Sequence, residues 1–141
     1  MSFSTTGMKK ILIIDDDKTF QKVMSDKLTL LTYEVVQAFD GEEGLNKAIS
    51  ENPDLILLDV KMPKKDGITL LRELRSNTNI PKVPVLITSN LSGTDNIAEG
   101  VALGVKGYII KSNETLDTLV REVEAVLTPE KTIKSEIRKV G

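Results

Sequence analysis

The chain has 141 residues, 40% of them hydrophobic, and its 19 basic and 21 acidic side chains give a formal net charge of −2. This composition is typical of one globular domain, and the balanced charge argues against a nucleic-acid-binding surface. Because cysteine and histidine are absent, disulfides, thiol nucleophiles and Cys-ligated zinc are excluded, and any chemistry must use carboxylates, hydroxyls and lysines.

Short apolar runs alternate with longer amphipathic stretches along the chain. The runs are nearly continuous, which is typical of parallel strands that are covered by helices on both faces. They predict strands at residues 11–14, 35–39, 55–58, 83–87 and 108–110.

Five stripes of apolar residues at helical spacing predict a helix after each strand. Asp40, with Glu43 three residues later, is a helix-start signal. Pro53 predicts the end of the second helix, and Gly104 predicts a left-handed helix end. The stripes are Phe20, Val23, Met24, Leu28 and Leu31; Leu45, Ala48 and Ile49; Leu70, Leu71 and Leu74; Ile97, Val101 and Ala102; and Leu116, Leu119, Val120, Val123 and Leu127.

This (βα)₅ order, with right-handed crossovers, predicts a doubly wound α/β sandwich. In such a sheet the ligand site lies outside the carboxyl ends of the strands. The polar residues at the predicted strand ends are Asp15, Asp16, Asp59, Thr88 and Lys111.

Each of these residues taken alone has a structural explanation, such as a helix cap, a solvated turn lysine or a β-branched strand residue. Asp17 in particular is interpreted as a helix cap. However, Asp15, Asp16 and Asp59 would converge and repel one another unless a cation lies between them. An all-oxygen ligand set favours a hard ion such as Mg²⁺, with a phosphate that Lys111 would meet from the other side.

With these residues, the chain resembles a response-regulator receiver domain, the phosphorylatable module of two-component signalling. The motifs that carry the resemblance are ILIIDDD, LILLDVKMPKKDG, VLITSN and GYIIK. It implies a five-stranded parallel sheet of order 2-1-3-4-5 with the flavodoxin-like three-layer fold. The predicted domain covers residues 9–127, after a disordered extension at residues 1–8 and before a tail at residues 128–141.

The resemblance also implies a role for each motif residue. Asp59 is the expected phosphoacceptor. Mg²⁺, or Mn²⁺, is expected at Asp15, Asp16, Asp59 and the backbone carbonyl of Lys61. Lys111 would pair with the acyl phosphate.

Further roles concern the response to phosphorylation. Thr88 and Tyr108 would form the switch that reads the added charge. Lys61 and Asn90 would flank the path of an attacking water and tune dephosphorylation.

Two positions near the site carry a backbone expectation. Gly67, in the loop after the phosphorylated strand, would supply backbone freedom that other residues lack. Ser112 departs from the family, which usually has proline after the lysine. Because a non-proline cis peptide is costly, the Lys111–Ser112 bond is predicted to be trans.

The expected phosphodonor is a sensor histidine kinase or a histidine phosphotransfer protein, since the chain has no histidine and no GxxxxGK[ST] loop for ATP. The output protein is unknown. No nucleic acid is expected to bind directly.

No apolar run approaches the roughly 20 residues of a membrane span, and the start lacks the apolar segment of a secretion signal. The predicted location is therefore cytoplasmic.

Two other classes of function stay open at this point. Asp15, Asp17 and Thr19 also satisfy the DxDx[TV] pattern of a haloacid-dehalogenase-type phosphatase, in which Asp15 would be the nucleophile and Thr88 and Lys111 later motifs. Against that class, the chain has no further strand ending in paired acids. The other alternative is a phosphorylation-independent pseudo-receiver or a flavodoxin-like binding module.

The tail has helix signals of its own. Thr128 could cap a helix with Pro129 at its first position, and Ile133, Ile137 and Val140 share one stripe. A helix this short must dock to be stable. It would then supply a homodimer contact or a connector to an output module; the alternative is a linker.

Overall fold

The computed structural model describes residues 8–62, 64–90 and 94–128, and for residues 94–96 it describes the backbone. Five strands alternate with five α-helices in this part of the chain, and a 3₁₀ helix, Lys111–Asn113, follows the last strand. The predicted order of elements is confirmed, with strand ends shifted by at most two residues. The elements are β1 (Lys10–Ile14), α1 (Lys18–Leu30), β2 (Glu34–Ala38), α2 (Gly41–Glu51), β3 (Leu55–Asp59), α3 (Gly67–Ser76), β4 (Val85–Ser89), α4 (Thr94–Ala102), β5 (Gly107–Ile110) and α5 (Leu116–Leu127).

The strands form one parallel sheet in the order β2-β1-β3-β4-β5, as predicted. Strand order reverses between β1 and β3, so this is the point where the fold opens a crevice at the carboxyl edge. Both strands consist of buried apolar residues up to that edge.

Successive strand residues point to opposite faces of the sheet and build two separate cores. The side chains of Leu12, Leu58 and Ile87 pack with α2 and α3 on one face. On the other face, Ile13 and Leu57 pack with α1 and α5. Helices on both faces explain why the strand sequences are continuously apolar.

The helices begin and end largely where the sequence signals lie. The Asp17 carboxylate accepts the Phe20 N–H at 3.1 Å and caps α1, while Asp40 caps α2 by accepting the Glu43 N–H at 2.8 Å. Gly104 has a φ of 78° after α4, which confirms the predicted left-handed helix end.

Several apolar residues on the predicted stripes do not face the core. Val23, Ile49 and Val101 are 44%, 52% and 67% exposed, and Leu31 and Ala102 are exposed as well. Glycines explain two of these differences. A Cβ on Gly44 would lie 2.6 Å from Ile14, and one on Gly100 would lie 2.9 Å from Ile87. Both helices therefore approach the strands along their glycine faces and turn the neighbouring apolar residues outward. Besides the residues of the central strands, the two cores include Ala38, Ala48, Leu70, Leu71, Leu74, Met24, Leu28, Leu119, Val120 and Val123.

No peptide bond among the described residues is cis, so the trans prediction for Lys111–Ser112 is confirmed.

Thr128 ends α5, because its N–H and its hydroxyl both donate to the Glu124 carbonyl oxygen at 2.7 Å. The predicted N-terminal extension, apart from residue 8, and the predicted tail helix beyond Thr128 lie outside the described residues. Among the described helices, none has the length and apolar character needed to cross a membrane.

Candidate functional site

The carboxyl ends of β1, β3, β4 and β5 meet at one edge of the sheet. Asp59 ends β3 and is aligned with Thr88 of β4 in the parallel register. Asp15 directly follows β1, and Lys111 directly follows β5. Because β1 and β4 are the two neighbours of β3, side chains from separate motifs meet at one place.

Three carboxylates form a cluster at this edge. Asp15, Asp16 and Asp59 each offer an oxygen, and these oxygens all lie within 4.8 Å of one another. Asp15 and Asp59 are buried, whereas Asp16 is exposed. The structure thus brings together three of the four predicted metal ligands. The carbonyl of Lys61, two residues after Asp59, stays a predicted ligand.

The environment of the cluster disfavours ionisation of its buried members. Burial raises the pKa of Asp15 above its ordinary value, although the hydrogen bond from Lys111 opposes this shift. Burial, and next the charge of Asp15, raise the pKa of Asp59 from 3.8 to about 7. Burying the Asp59 carboxylate therefore costs free energy, and an apolar side chain at the same position would be buried without that cost.

The balance of charge fits a divalent cation. Lys111 pairs with Asp15 and can offset one of the three negative charges of the cluster, which leaves two. The ligand atoms are all oxygens, and oxygen ligands with a small number of carboxylates suit Mg²⁺ or Mn²⁺. Asp16, Asp59 and the lysine-paired Asp15 are therefore the residues that could hold such an ion.

Lys111 lies inside the site rather than in solvent. Its side chain is 9% exposed, and its ammonium donates a hydrogen bond to Asp15 Oδ2. The ammonium also lies 4.2 Å from the centroid of the Phe20 ring. Lys111 is therefore held by a carboxylate and by an aromatic face.

Thr88 carries a hydroxyl that is buried at the end of β4. The residue is 1% exposed, and within the described residues its Oγ1 has no hydrogen-bond partner. Because buried hydroxyls are normally paired, this atom is available to a group that arrives at the neighbouring Asp59.

Gly67 has a different role from the predicted one. Its φ is not positive; in the same loop Lys64, with a φ of 68°, adopts the left-handed conformation. A Cβ on Gly67 would lie 2.2 Å from the Asp59 carbonyl oxygen, and the Gly67 N–H donates to the Val60 carbonyl at 2.7 Å. Gly67 is needed for the close approach of α3 to the end of β3.

The remaining predicted residues lie around the site. Tyr108 is partly buried against the core under α2 and α3, and it is aligned with Ile87, the residue before Thr88. Lys61 and Asn90 are exposed just beyond β3 and β4. Both residues therefore lie at the rim of the site, and their roles in dephosphorylation stay predictions.

Gln21 is a residue that the sequence reasoning missed. Its side chain is 1% exposed, and its amide nitrogen lies 2.9 Å from the Ile13 carbonyl, 2.8 Å from the Ala38 carbonyl and 3.2 Å from the Asp15 carbonyl. Gln21 thus ties together the ends of β1 and β2 next to the acidic cluster. The signal was its spacing, because Met24 and Leu28 follow it by three and seven residues on the buried stripe.

Comparison with known proteins defines the class. Residues 11–124 match the family described as the response regulator receiver domain, and the chain belongs to this family. It is 37% identical over 120 residues to the DNA-binding dual master transcriptional regulator RpaA of Synechocystis sp., which covers 85% of this chain and 49% of RpaA. The chain spans about half the length of the curated relatives it matches first.

Solved structures agree with this family. The phosphorylated cyanobacterial phytochrome response regulator RcpA is 33% identical, with a TM-score of 0.75 over 87% of this chain and 96% of that one. The Mn²⁺-bound form of response regulator Rcp1 is 29% identical, with a TM-score of 0.73 over 83% and 92% of the two chains. The family match favours the receiver interpretation over the phosphatase and the flavodoxin-like module.

Proposed function

We propose that this protein is a phosphoacceptor signalling switch in which Asp59 receives a phosphoryl group with a divalent cation. The observation that carries the proposal is the environment of Asp59. This carboxylate is buried beside two others, and its pKa is raised to about 7. Its register neighbour Thr88 has a hydroxyl that no group in the described part of the chain pairs with.

The transfer is nucleophilic catalysis by a carboxylate. An oxygen of Asp59 forms a bond to phosphorus, while the bond from phosphorus to the imidazole nitrogen of the donor phosphohistidine breaks. The nitrogen keeps the electron pair and takes up a proton, and the product on Asp59 is an acyl phosphate. Only the ionised carboxylate can attack, so anything that lowers the pKa of Asp59 increases the reactive fraction at neutral pH.

Asp15, Asp16, Asp59 and the carbonyl of Lys61 are the proposed ligands of Mg²⁺ or Mn²⁺. When bound, the cation supplies positive charge for the oxygens of the transferring phosphoryl group. Lys111 supplies a second positive charge from the β5 side. The Mn²⁺-bound form of the similar protein Rcp1 supports the choice of a divalent cation.

Thr88 and Tyr108 are the proposed switch. The Thr88 hydroxyl would donate its hydrogen bond to a phosphoryl oxygen on Asp59, which would give this buried group the partner it lacks. Tyr108 is aligned with Ile87 on the neighbouring strand. If the new hydrogen bond of Thr88 shifts β4, the Tyr108 side chain would shift with it. The surface of α4, β5 and α5 would then change its docking properties.

The proposed phosphodonor is a sensor histidine kinase or a histidine phosphotransfer protein, and the proposed location is the cytoplasm. The match covers about half the length of its transcriptional-regulator relatives, so the proposed output is either a further module or a separate protein. RpaA is described as DNA-binding, so we propose that DNA is reached through an output partner or module and not by the described residues. A homodimer is a second candidate output.

The test is incubation with acetyl phosphate and Mg²⁺, followed by intact mass measurement. We expect one added phosphoryl group on the unsubstituted chain and none on Asp59→Asn. The matched control is Asp26→Asn, an exposed aspartate paired with Lys22 on α1, which should be labelled like the unsubstituted chain. Undiminished labelling of Asp59→Asn would refute the proposal and favour the phosphatase with Asp15 as nucleophile. A chain that gains no phosphoryl group at all would favour the pseudo-receiver.

A further inference from the structure

We infer that Phe20 is a positioning residue for Lys111, and that its aromatic face, rather than its bulk, speeds the phosphorylation of Asp59. This inference rests on the proposed function, since it concerns the lysine of the same site. In the sequence, Phe20 belongs only to the apolar stripe of α1 and to none of the motifs of the site.

The contact geometry shows what Phe20 does to the lysine. The Lys111 ammonium lies 4.2 Å from the ring centroid, within the range of a cation–π interaction. The other side of the ammonium pairs with Asp15. A lysine near a surface ordinarily extends its ammonium into water, yet this side chain is only 9% exposed.

The position of Phe20 is fixed by the acidic run itself. One oxygen of Asp15 accepts the Asp17 N–H at 2.9 Å, and Asp17 accepts the Phe20 N–H at 3.1 Å. The Phe20 ring contacts Lys111, and Lys111 returns to the second oxygen of Asp15. These four contacts form a closed circuit that joins the start of α1 to the end of β5.

The ring and the carboxylate hold the ammonium in different ways. A hydrogen bond to Asp15 fixes the ammonium in one direction, whereas the face of a ring attracts a cation over a broad area. Lys111 can therefore turn from Asp15 toward a phosphoryl group on Asp59 without returning to water. Desolvated charges act more strongly on a developing negative charge, so the ring contact should increase the rate of transfer.

A purely structural role for Phe20 predicts different results from the positioning role. Phe20 also packs, partly buried, against the core cluster that contains Met24 and Leu28. Phe20→Leu keeps an apolar side chain of similar size and removes the aromatic face, while Phe20→Tyr keeps the face. The matched control is Met24→Leu, which alters packing on the same helix and in the same cluster.

The first measurement is the rate of labelling by acetyl phosphate in Mg²⁺. We expect Phe20→Leu to slow labelling about threefold to tenfold, the range that a cation–π contact supplies. Phe20→Tyr and Met24→Leu should be labelled at close to the unsubstituted rate, whatever their effect on stability. Slow labelling of both Phe20→Leu and Phe20→Tyr would show that the aromatic face is not responsible.

The second measurement asks whether Phe20 acts through Lys111. In a double-mutant cycle, Phe20→Leu should slow labelling no further when Lys111→Met is already present. A proton NMR spectrum gives a readout that does not depend on phosphorylation. The ε-methylene protons of Lys111 should be shifted upfield by the ring in the unsubstituted chain and in Phe20→Tyr, and not in Phe20→Leu.

The outcomes separate this inference from the proposed function. If the unsubstituted chain is labelled and Phe20→Leu is labelled equally fast, the inference is wrong and the proposed function stands. Two further results would also overturn the inference. One is that Phe20→Leu slows labelling equally with and without Lys111→Met. The other is that the Lys111 protons show no upfield shift. If the unsubstituted chain is not labelled, the proposed function fails and the inference fails with it.

Discussion

In the middle of the sheet the buried side chains of β1 and β3 are all apolar, whereas at the carboxyl ends of the same strands they are carboxylates. Ile14 and Asp15 are adjacent, as are Leu58 and Asp59, and all four side chains are at most 7% exposed. The same degree of burial therefore stabilises the fold at one residue and opposes it at the next.

This difference shows how the site is maintained. The two cores hold β1, β3 and β4 in a fixed register, and the polar side chains that end these strands have little room to separate. The scaffold is stable enough to hold Asp59 with its raised pKa and Thr88 with a hydroxyl that has no partner among the residues described by the structure. Unfavourable groups in such a setting are typical of functional sites.

The largest expected effect comes from weakening the scaffold. Leu58→Ala removes a fully buried side chain and should lower the free energy of unfolding by about 3 kcal/mol. Urea unfolding followed by circular dichroism measures this loss. Leu30→Ala is the control, because Leu30 is 80% exposed and its truncation should cost less than about 0.5 kcal/mol. Equal losses in the two variants would contradict the assignment of the core.

The second prediction concerns Asp59, the next residue along β3, where a substitution should raise the free energy of unfolding instead of lowering it. Asp59 has a folded pKa of about 7, above its unfolded value of 3.8, so its contribution to stability is present at low pH and is lost as the pH rises to about 7. Asp59→Asn should therefore raise the free energy of unfolding by roughly 2 kcal/mol at about pH 8 in EDTA. At about pH 5 the gain should be clearly smaller.

Asp40→Ala is the control for this pH dependence. A hydrogen bond from the Glu43 N–H lowers the pKa of Asp40, so its charged form stabilises the protein. Its loss should cost about 1 kcal/mol at neutral pH, the opposite sign to Asp59→Asn. A destabilising Asp59→Asn at about pH 8 would mean that the Asp59 charge is already compensated without a metal.

The third prediction concerns the metal. If Mg²⁺ binds the folded state and not the unfolded state, a Mg²⁺ concentration about ten times the Kd should raise the free energy of unfolding by about 1.4 kcal/mol. Asp16→Ala should abolish this gain, and because Asp16 is exposed, the fold should not be disturbed. Asp17→Asn is the matched control, since asparagine also caps helices. A thermal melt with and without Mg²⁺ measures both variants, and an unchanged response of Asp16→Ala would disprove its role as a ligand.

The smallest expected effect lies at the rim. Replacing Lys61 and Asn90 by alanine should change the dephosphorylation rate severalfold and leave the labelling site unchanged. Both side chains are exposed beyond β3 and β4, where water would approach Asp59. The rate is followed as loss of the phosphoryl mass after the donor is removed. An identical lifetime in the double variant would place the control of water access elsewhere.

The sequence was sufficient to predict the topology and the acidic cluster because both depend on backbone order. Apolar strands of this length must be covered on both faces, and the carboxyl ends of parallel strands must share one edge. Hence Asp15, Asp59, Thr88 and Lys111 could be placed together before any coordinate was known. Asp40 and Gly104 marked helix limits through local hydrogen bonding and backbone conformation.

Side-chain contacts are harder to predict from the sequence, because they depend on how each helix is rotated and how closely it packs on the sheet. The apolar spacing predicts that Val23 faces the core, yet Gln21 occupies the buried position, where its amide contacts three carbonyls. The motif predicts a glycine-dependent position at Gly67, but it does not predict the cause, because the close approach of Gly67 to the Asp59 carbonyl exists only in the folded chain. The contact of Phe20 with Lys111 spans α1 and the end of β5, so no local pattern could indicate it.

The central claim is tested most directly by finding which residue carries the phosphoryl group. After labelling with acetyl phosphate and Mg²⁺, reduction with borohydride converts an aspartyl phosphate to homoserine, and the modified residue is located by mass spectrometry of peptides. The receiver mechanism predicts homoserine at position 59 only. Homoserine at position 15 would contradict it, because the nucleophile would then be the carboxylate that Lys111 pairs with.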